Sequence, residues 1–85
     1  MTEECFENDV ALFKAKPVRG IRNFHIKNVM SADDCQQKCV EDSDCKFWTW
    51  NSPQFKRNKN TCWLKAEVGQ RRSIGGKISG PKECK

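Results

Sequence analysis

Six cysteines in a chain of 85 residues constrain this sequence more than any other feature. A chain this short buries too little apolar surface to be stable without help, and disulfides, metals or partner chains are the usual remedies. Apolar residues make up 36% of the chain and charged residues 32%, so the core is expected to be small. An even number of cysteines at this density reads as a disulfide framework formed in an oxidising compartment. Zinc is the competing use of the same thiols, and structural zinc sites draw on closely spaced ligand pairs. Here Cys35 and Cys39 make one such pair, no second compact pair follows, and His25 is the only histidine. The reading is three disulfides, no metal and no cofactor.

The clearest local signal is a helix that opens at Ser31. Ser31 can accept a hydrogen bond from a backbone N–H in the first turn, and Asp33 and Asp34 put negative charge where the helix dipole favours it. Met30 stands where a residue can staple onto the first turn. The helix is expected over Ala32 to Glu41, with Cys35 and Cys39 on one face and Ala32 and Val40 broadening that face. Two segments rich in β-forming residues, Cys45 to Asn51 and Thr61 to Lys65, are expected to pair as a hairpin at the centre of an antiparallel sheet. Alternation puts Trp48 and Trp50 on one face of the first strand, with Cys45, Phe47 and Thr49 on the other. In the second, Cys62 and Leu64 oppose Trp63. Val10 to Phe13 reads as a short strand and Ile21 to Met30 as extended chain. Lys56 to Asn60 reads as a charged loop, Gly69 to Gly76 as a basic loop, and Lys77 to Gly80 as a short last strand.

Six cysteines allow fifteen connectivities, and counting does not choose among them. Side chains four apart on a helix hold their Cβ atoms about 5–6 Å apart, whereas a disulfide holds them at about 3.8 Å. Cys35 and Cys39 therefore each bond outward, to whatever the helix packs on. Cys45 is a short hop from Cys39, and Cys62 lies in the next strand within reach of Cys35. Cys5 and Cys84 sit near the termini, which domains often bring together. Geometry thus narrows the choice to Cys5–Cys84, Cys35–Cys62 and Cys39–Cys45.

The residues leave little material for catalysis. One histidine, no tyrosine and paired cysteines supply no nucleophile with a base and an orienting group. Asp33 and Asp34 are adjacent on a helix and face apart, and capping charge is sufficient reason for both. The chain is read as non-enzymatic. No apolar run reaches the length of a membrane span, so membrane insertion is not expected. No signal peptide opens the chain, so residues 1–85 are expected to be a single domain excised from a longer secreted protein.

The net charge of +5 conceals a split, with a net −3 over residues 1–44 and a net +8 over residues 45–85. Such a bias suits an anionic partner, although charge runs are most often solvated surface. Lys56, Arg57 and Lys59 on one loop, with Arg71, Arg72 and Lys77 further on, are the candidate ligand-binding residues. Arginine forks suit sulfate and carboxylate groups. Trp48, Trp50, Trp63, Phe47 and Phe55 cluster by spacing. A small core needs that bulk, and one tryptophan left at the surface can stack on a sugar or a partner.

The sequence also resembles the apple/PAN domain family. The resemblance is carried by Ser31-Ala-Asp-Asp-Cys35-Gln-Gln-Lys-Cys39, Cys45-Lys-Phe-Trp-Thr-Trp-Asn51, Thr61-Cys62-Trp-Leu-Lys65 and Lys77-Ile-Ser-Gly-Pro-Lys-Glu-Cys84. Cys5 matches the outer cysteine of apple domains, while Ala11 to Lys27 matches only loosely. The resemblance implies an α+β fold, one helix on a curved antiparallel sheet of about five strands, with the three disulfides above. It also implies a binding module of the kind found in plasma protease heavy chains, growth-factor leader segments and, nearest in wording, the tandem apple domains of apicomplexan microneme adhesins. The expected function is adhesion to a protein partner, beside neighbouring domains of the same chain, in attachment to and invasion of host cells. The second reading is a sulfated or sialylated glycan held by the basic residues. A spacer in a repeat array is a third, and nucleic acid is not an expected partner of an oxidised secreted domain.

Overall fold

The computed structural model describes residues 6–22, 24–55, 57–67 and 69–83. Its one α-helix, α1, is Ala32–Glu41, bounded as the local signals predict. The Ser31 hydroxyl accepts a hydrogen bond from the Asp34 N–H at 3.1 Å, and Asp33 and Asp34 occupy the exposed first turn. The buried stripe is narrower than expected: Ala32, Cys35 and Cys39 are buried, whereas Val40 is 40% exposed and Met30 62% exposed. The segment before the helix is pinned through Val29 instead. Its N–H reaches the Asn60 carbonyl at 2.9 Å and its carbonyl takes the Trp50 indole N–H at 2.7 Å. That fixes the chain direction and turns Met30 outward, so the expected staple does not form.

Five strands build one antiparallel sheet: β1 Glu7–Phe13, β2 His25–Lys27, β3 Phe47–Asn51, β4 Thr61–Lys65 and β5 Gln70–Pro81, in the order β1-β5-β3-β4-β2. The β3–β4 hairpin is central, with Trp50 opposite Cys62 and Thr49 opposite Trp63. The expected loop at Gly69 to Gly76 is a correction. Its residues from Gln70 onward belong to β5, a strand of 12 residues rather than a short last one. Lys77 to Pro81 pairs with β3, and Gln70 to Ser73 pairs with β1. Local sequence could not report this, because the partner that satisfies the backbone of residues 70–73 lies some sixty residues earlier in the chain.

The helix packs on the face that carries Trp48, Trp50, Cys62 and Leu64, and these with Val18, Val29 and the helix's own cysteines form the core. Trp48 is fully buried, donates its indole N–H to the Pro81 carbonyl at 2.8 Å and meets Phe6 edge-on at 4.9 Å. The disulfides Cys35–Cys62 and Cys39–Cys45 are both formed, with Cα separations of 5.5 and 5.2 Å. They tie the helix to β4 and to the start of the segment leading into β3. The Cys5–Cys84 pairing lies outside the described residues.

The pairing register of β1 with β5 shifts between Asn8 and Val10. Asp9 there has a φ of 60° and its carboxylate accepts the Gly76 N–H at 3.1 Å. Beyond this bulge, Ala11, Leu12 and Phe13 lie over the face of the sheet away from the helix, beside Thr49, Trp63, Lys65 and Lys77. The sheet is thus covered by α1 on one face and in part by its own edge strand on the other.

Two stability predictions follow from this packing. The chain-entropy estimate assigns about 3.6 kcal/mol to the loop closed by Cys35–Cys62 and about 2.4 kcal/mol to that closed by Cys39–Cys45. Replacing Cys35 and Cys62 by alanine should therefore lower the urea midpoint more than replacing Cys39 and Cys45. At Gly80, an added Cβ would stand 2.7 Å from the Trp48 ring. Gly80→Ala should cost about 1–3 kcal/mol by overpacking, read as a lowered thermal midpoint.

Candidate functional site

The basic residues fall into two groups. Arg57 and Lys59 are exposed in the loop between β3 and β4; Lys56 lies outside the described residues. Buried Asn51 organises this loop, donating from Nδ2 to the carbonyls of Arg57 and Asn58 at 3.2 Å each. Its Oδ1 accepts from Lys77 Nζ at 2.8 Å. One side chain therefore joins Lys77 to the loop that carries Arg57. Arg71 and Arg72 lie in the other half of β5, about 16–20 Å further along at some 3.3 Å per residue. Arg71 Nε pairs with Glu7 Oε1 at 2.8 Å across β1 and β5, which raises the Arg71 pKa. The Arg72 guanidinium lies 5.2 Å from the centre of the Phe13 ring.

Of the three tryptophans, Trp48 and Trp50 are core residues, and Trp63 is half-buried on the face away from the helix. Trp63 forms part of a cleft of about 160 Å³ whose lining includes Phe13, Thr49, Lys65 and Lys77. Lys65 enters from β4 and Lys77 from β5. Burial lowers the pKa of Lys65; burial and then the charge of Lys65 lower that of Lys77. Lys77 Nζ also lies 4.4 Å from the centre of the Phe55 ring and 5.2 Å from that of Trp63, positions in which an ammonium is attracted to a ring face. Among the described residues the ion pairs are Arg19–Asp42 and Arg71–Glu7, so no carboxylate neutralises the two lysines. Lys65 was not among the residues singled out from sequence. The signal was present in the alternation of β4, which puts Lys65 on the face of Trp63, but only the folded edge strand turns that face into a cleft.

On the helix side of the sheet, Arg19 anchors the turn that follows α1. Its N–H reaches the Asp44 carboxylate, its guanidinium donates to Asp42 Oδ1 at 2.8 Å, and it lies 5.4 Å from the centre of the Phe24 ring. The Arg19 hydrogen bond, against the opposing effect of burial, holds the Asp42 carboxyl below its ordinary value. His25 is an exposed β2 residue with its ring 5.9 Å from that of Trp63. Among the described residues no group of three or more His, Cys, Asp or Glu side chains is placed to hold a metal, and no helix is long and apolar enough to cross a membrane.

Comparisons with known proteins agree with this architecture. Residues 19–65, the stretch from Arg19 through α1 to the end of β4, match the PAN domain family. A segment of 45 residues, 51% of the chain, is 38% identical to coagulation factor XI of Bos taurus and spans 7% of that protein. The fold is similar to the solution structure of the two N-terminal apple domains of Toxoplasma gondii microneme protein 4. The TM-score is 0.61 with 29% identity, covering 91% of this chain and 44% of that one.

The Arg19–Asp42 pair yields a test with a defined sign. A carboxylate with a lowered folded pKa contributes stability that is present above its unfolded pKa and lost as pH falls through the folded one. Arg19→Gln should lower the urea midpoint at neutral pH. The gap from the parent should close as the pH is brought to about 2, where the carboxylates are protonated.

Proposed function

This chain belongs to the PAN domain family, and on that premise we propose that it is an adhesion module, one domain of a longer secreted protein. It binds a protein partner on a cell surface or within an adhesive complex, in host-cell attachment and invasion. PAN and apple domains are interaction modules and not a family of enzymes. The observation that carries the reading is the likeness to the microneme protein 4 apple pair over 91% of the chain. The relatives span more than this chain does, so the proposal concerns this module within its parent. The compartment that fits is the secretory pathway, with a storage organelle such as the microneme before release.

The cross-linked framework supports the same reading. Two disulfides hold the helix to the sheet and to the segment entering β3, and buried Asn51 fixes the backbone of the loop that exposes Arg57 and Lys59. A loop held in place loses little conformational freedom when it binds, which is how preorganisation raises affinity. The second reading, a sulfated or sialylated glycan held by Lys56, Arg57, Lys59, Arg71, Arg72 and Lys77, draws support from the exposure of Arg57 and Lys59.

Binding of the labelled domain to cultured host cells separates the two. Protease treatment of the cells should abolish binding, and enzymatic removal of sialic acid and heparan sulfate should leave it. The reverse pattern would overturn the protein reading in favour of the glycan. With Arg57→Glu and Lys59→Glu together, attachment should weaken about tenfold and lose much of its salt dependence; unchanged attachment would remove this loop from the interface.

A further inference from the structure

The cleft on the face away from the helix holds two lysines under unequal restraint. Its volume is about 160 Å³, and its lining includes Lys65 and Lys77 beside three apolar residues of β1, Thr49 of β3 and Trp63 of β4. The two lysines are thus the titratable groups of that lining. Lys77 is restrained as an ammonium. It donates to Asn51 Oδ1 at 2.8 Å, and its Nζ lies 4.4 Å from the centre of the Phe55 ring and 5.2 Å from that of Trp63, contacts that favour the cation. Lys65 has none of these: among the described residues no carboxylate, carbonyl or hydroxyl accepts from its Nζ. Burial lowers the pKa of both, and the Lys65 charge lowers that of Lys77 further. Two ammoniums in one recess compete for their charge, and the one without partners is the one that yields its proton.

A neutral lysine amine is a nucleophile, and desolvation beside a second cation is one way to expose it. Carbon dioxide is the electrophile that resolves the charge conflict here. The nitrogen lone pair forms an N–C bond, the electron pair of one C–O π bond moves to oxygen, and the nitrogen releases a proton to solvent. Nothing is oxidised or reduced. The recess goes from two positive charges to an anion beside a cation. Lys77 has one of its three N–H donors on Asn51, which leaves two for the carbamate oxygens. The carbamate keeps one N–H, and the lining supplies an acceptor for it. Ser79 Oγ donates to the Val10 carbonyl at 2.7 Å, so the 2.9 Å contact between the Thr49 and Ser79 hydroxyls has Thr49 as donor and leaves the Thr49 oxygen only to accept. The space is that of about five water molecules at some 30 Å³ each, ample for so small an addition.

We propose that Lys65 is a carboxylation site, its side-chain amine adding carbon dioxide as a reversible carbamate whose anion pairs with the Lys77 ammonium. The inequality of the two lysines carries the assignment: one is held by an amide oxygen and two rings, the other by no acceptor among the described residues. The site is distinct from the surface of Arg57 and Lys59, and it goes beyond the adhesion reading without resting on it.

The test is carbon NMR of the domain in isotope-labelled bicarbonate, where a carbamate carbon resolves from bicarbonate and dissolved carbon dioxide, followed by trapping with a trialkyloxonium salt and peptide mapping. A saturable carbamate signal should appear, with occupancy at least tenfold above that of a free lysine amide derivative at the same pH and total carbonate. The trapped ester should map to the peptide that contains Lys65. Lys65→Arg, which keeps the charge but adds no carbon dioxide, should remove the signal. Lys77→Gln should lower occupancy at least fivefold, because it removes both the like charge that frees the amine and the partner of the anion; unchanged occupancy would overturn the pairing. Occupancy no higher than that of the free lysine derivative would overturn the site. So would a signal that survives Lys65→Arg, or a trapped ester found only on the N-terminal amine or on other lysines. Should either variant fold poorly, the mapped ester on the parent domain decides the matter.

Discussion

The Cys35–Cys62 bond is the constraint on which the rest of the domain depends. Helix α1 buries only Ala32, Cys35 and Cys39, too little apolar area to hold ten helical residues against a sheet by the hydrophobic effect alone. The covalent link supplies what burial cannot. It fixes the helix at the middle of β4, opposite Trp50 in the neighbouring strand. Cys39–Cys45 then sets how soon the chain can re-enter the sheet after the helix. With the helix located, the two buried indoles find their partners at opposite ends of β3, Trp48 on the Pro81 carbonyl and Trp50 on the Val29 carbonyl. Each bond ties a neighbouring segment to the core, and each satisfies a donor that would be costly to bury alone.

The face away from the helix follows a different logic. It has no disulfide among the described residues and no large apolar cluster. A line of polar contacts runs across it, from Lys77 to Asn51 to the β3–β4 loop, and from Thr49 through Ser79 to Val10. The last of these bonds ties β1 to the sheet, and together they make the central strand polar on one side. β1 pairs with β5 at Ile78 and Ser79, where β5 also pairs with β3, and again at Gln70 to Ser73 beyond the register shift between Asn8 and Val10. Past that shift, Ala11, Leu12 and Phe13 line a recess with Lys65 and Lys77, so the strand that completes the sheet also helps to enclose two cations.

The candidate binding residues therefore divide by how they are held. Arg57 and Lys59 stand on an exposed loop whose backbone is fixed from beneath by Asn51, an arrangement suited to a broad partner. Lys65 and Lys77 stand in a recess lined by four strands, β1, β3, β4 and β5, suited to a small one. Arg71 and Arg72 lie in the other half of β5, where their side chains engage Glu7 and Phe13 along β1.

The helix, its cap and the central hairpin were legible because their causes are local. Ser31 and Asp34 are three residues apart, and the alternation of Phe47 to Asn51 and Thr61 to Lys65 is complete within each strand. Helical spacing excluded a bond between Cys35 and Cys39, since residues four apart on a helix stand too far apart to bond each other, and the short hop to Cys45 and the nearness of Cys62 in the next strand then supplied their partners. The apple/PAN resemblance rested on the same local blocks. What sequence could not show was the first half of β5, read as a loop because its arginines and glycines resemble one. Nor could it show the role of Lys65, which depends on Phe13 crossing over from a strand some fifty residues earlier. By itself the sequence determined the helix and its cap, the central hairpin and the two cross-links Cys35–Cys62 and Cys39–Cys45 that make so small a core sufficient. Only the tertiary structure decided which cations are solvated and which are enclosed, because enclosure is a property of distant segments brought together and no spacing along the chain records it.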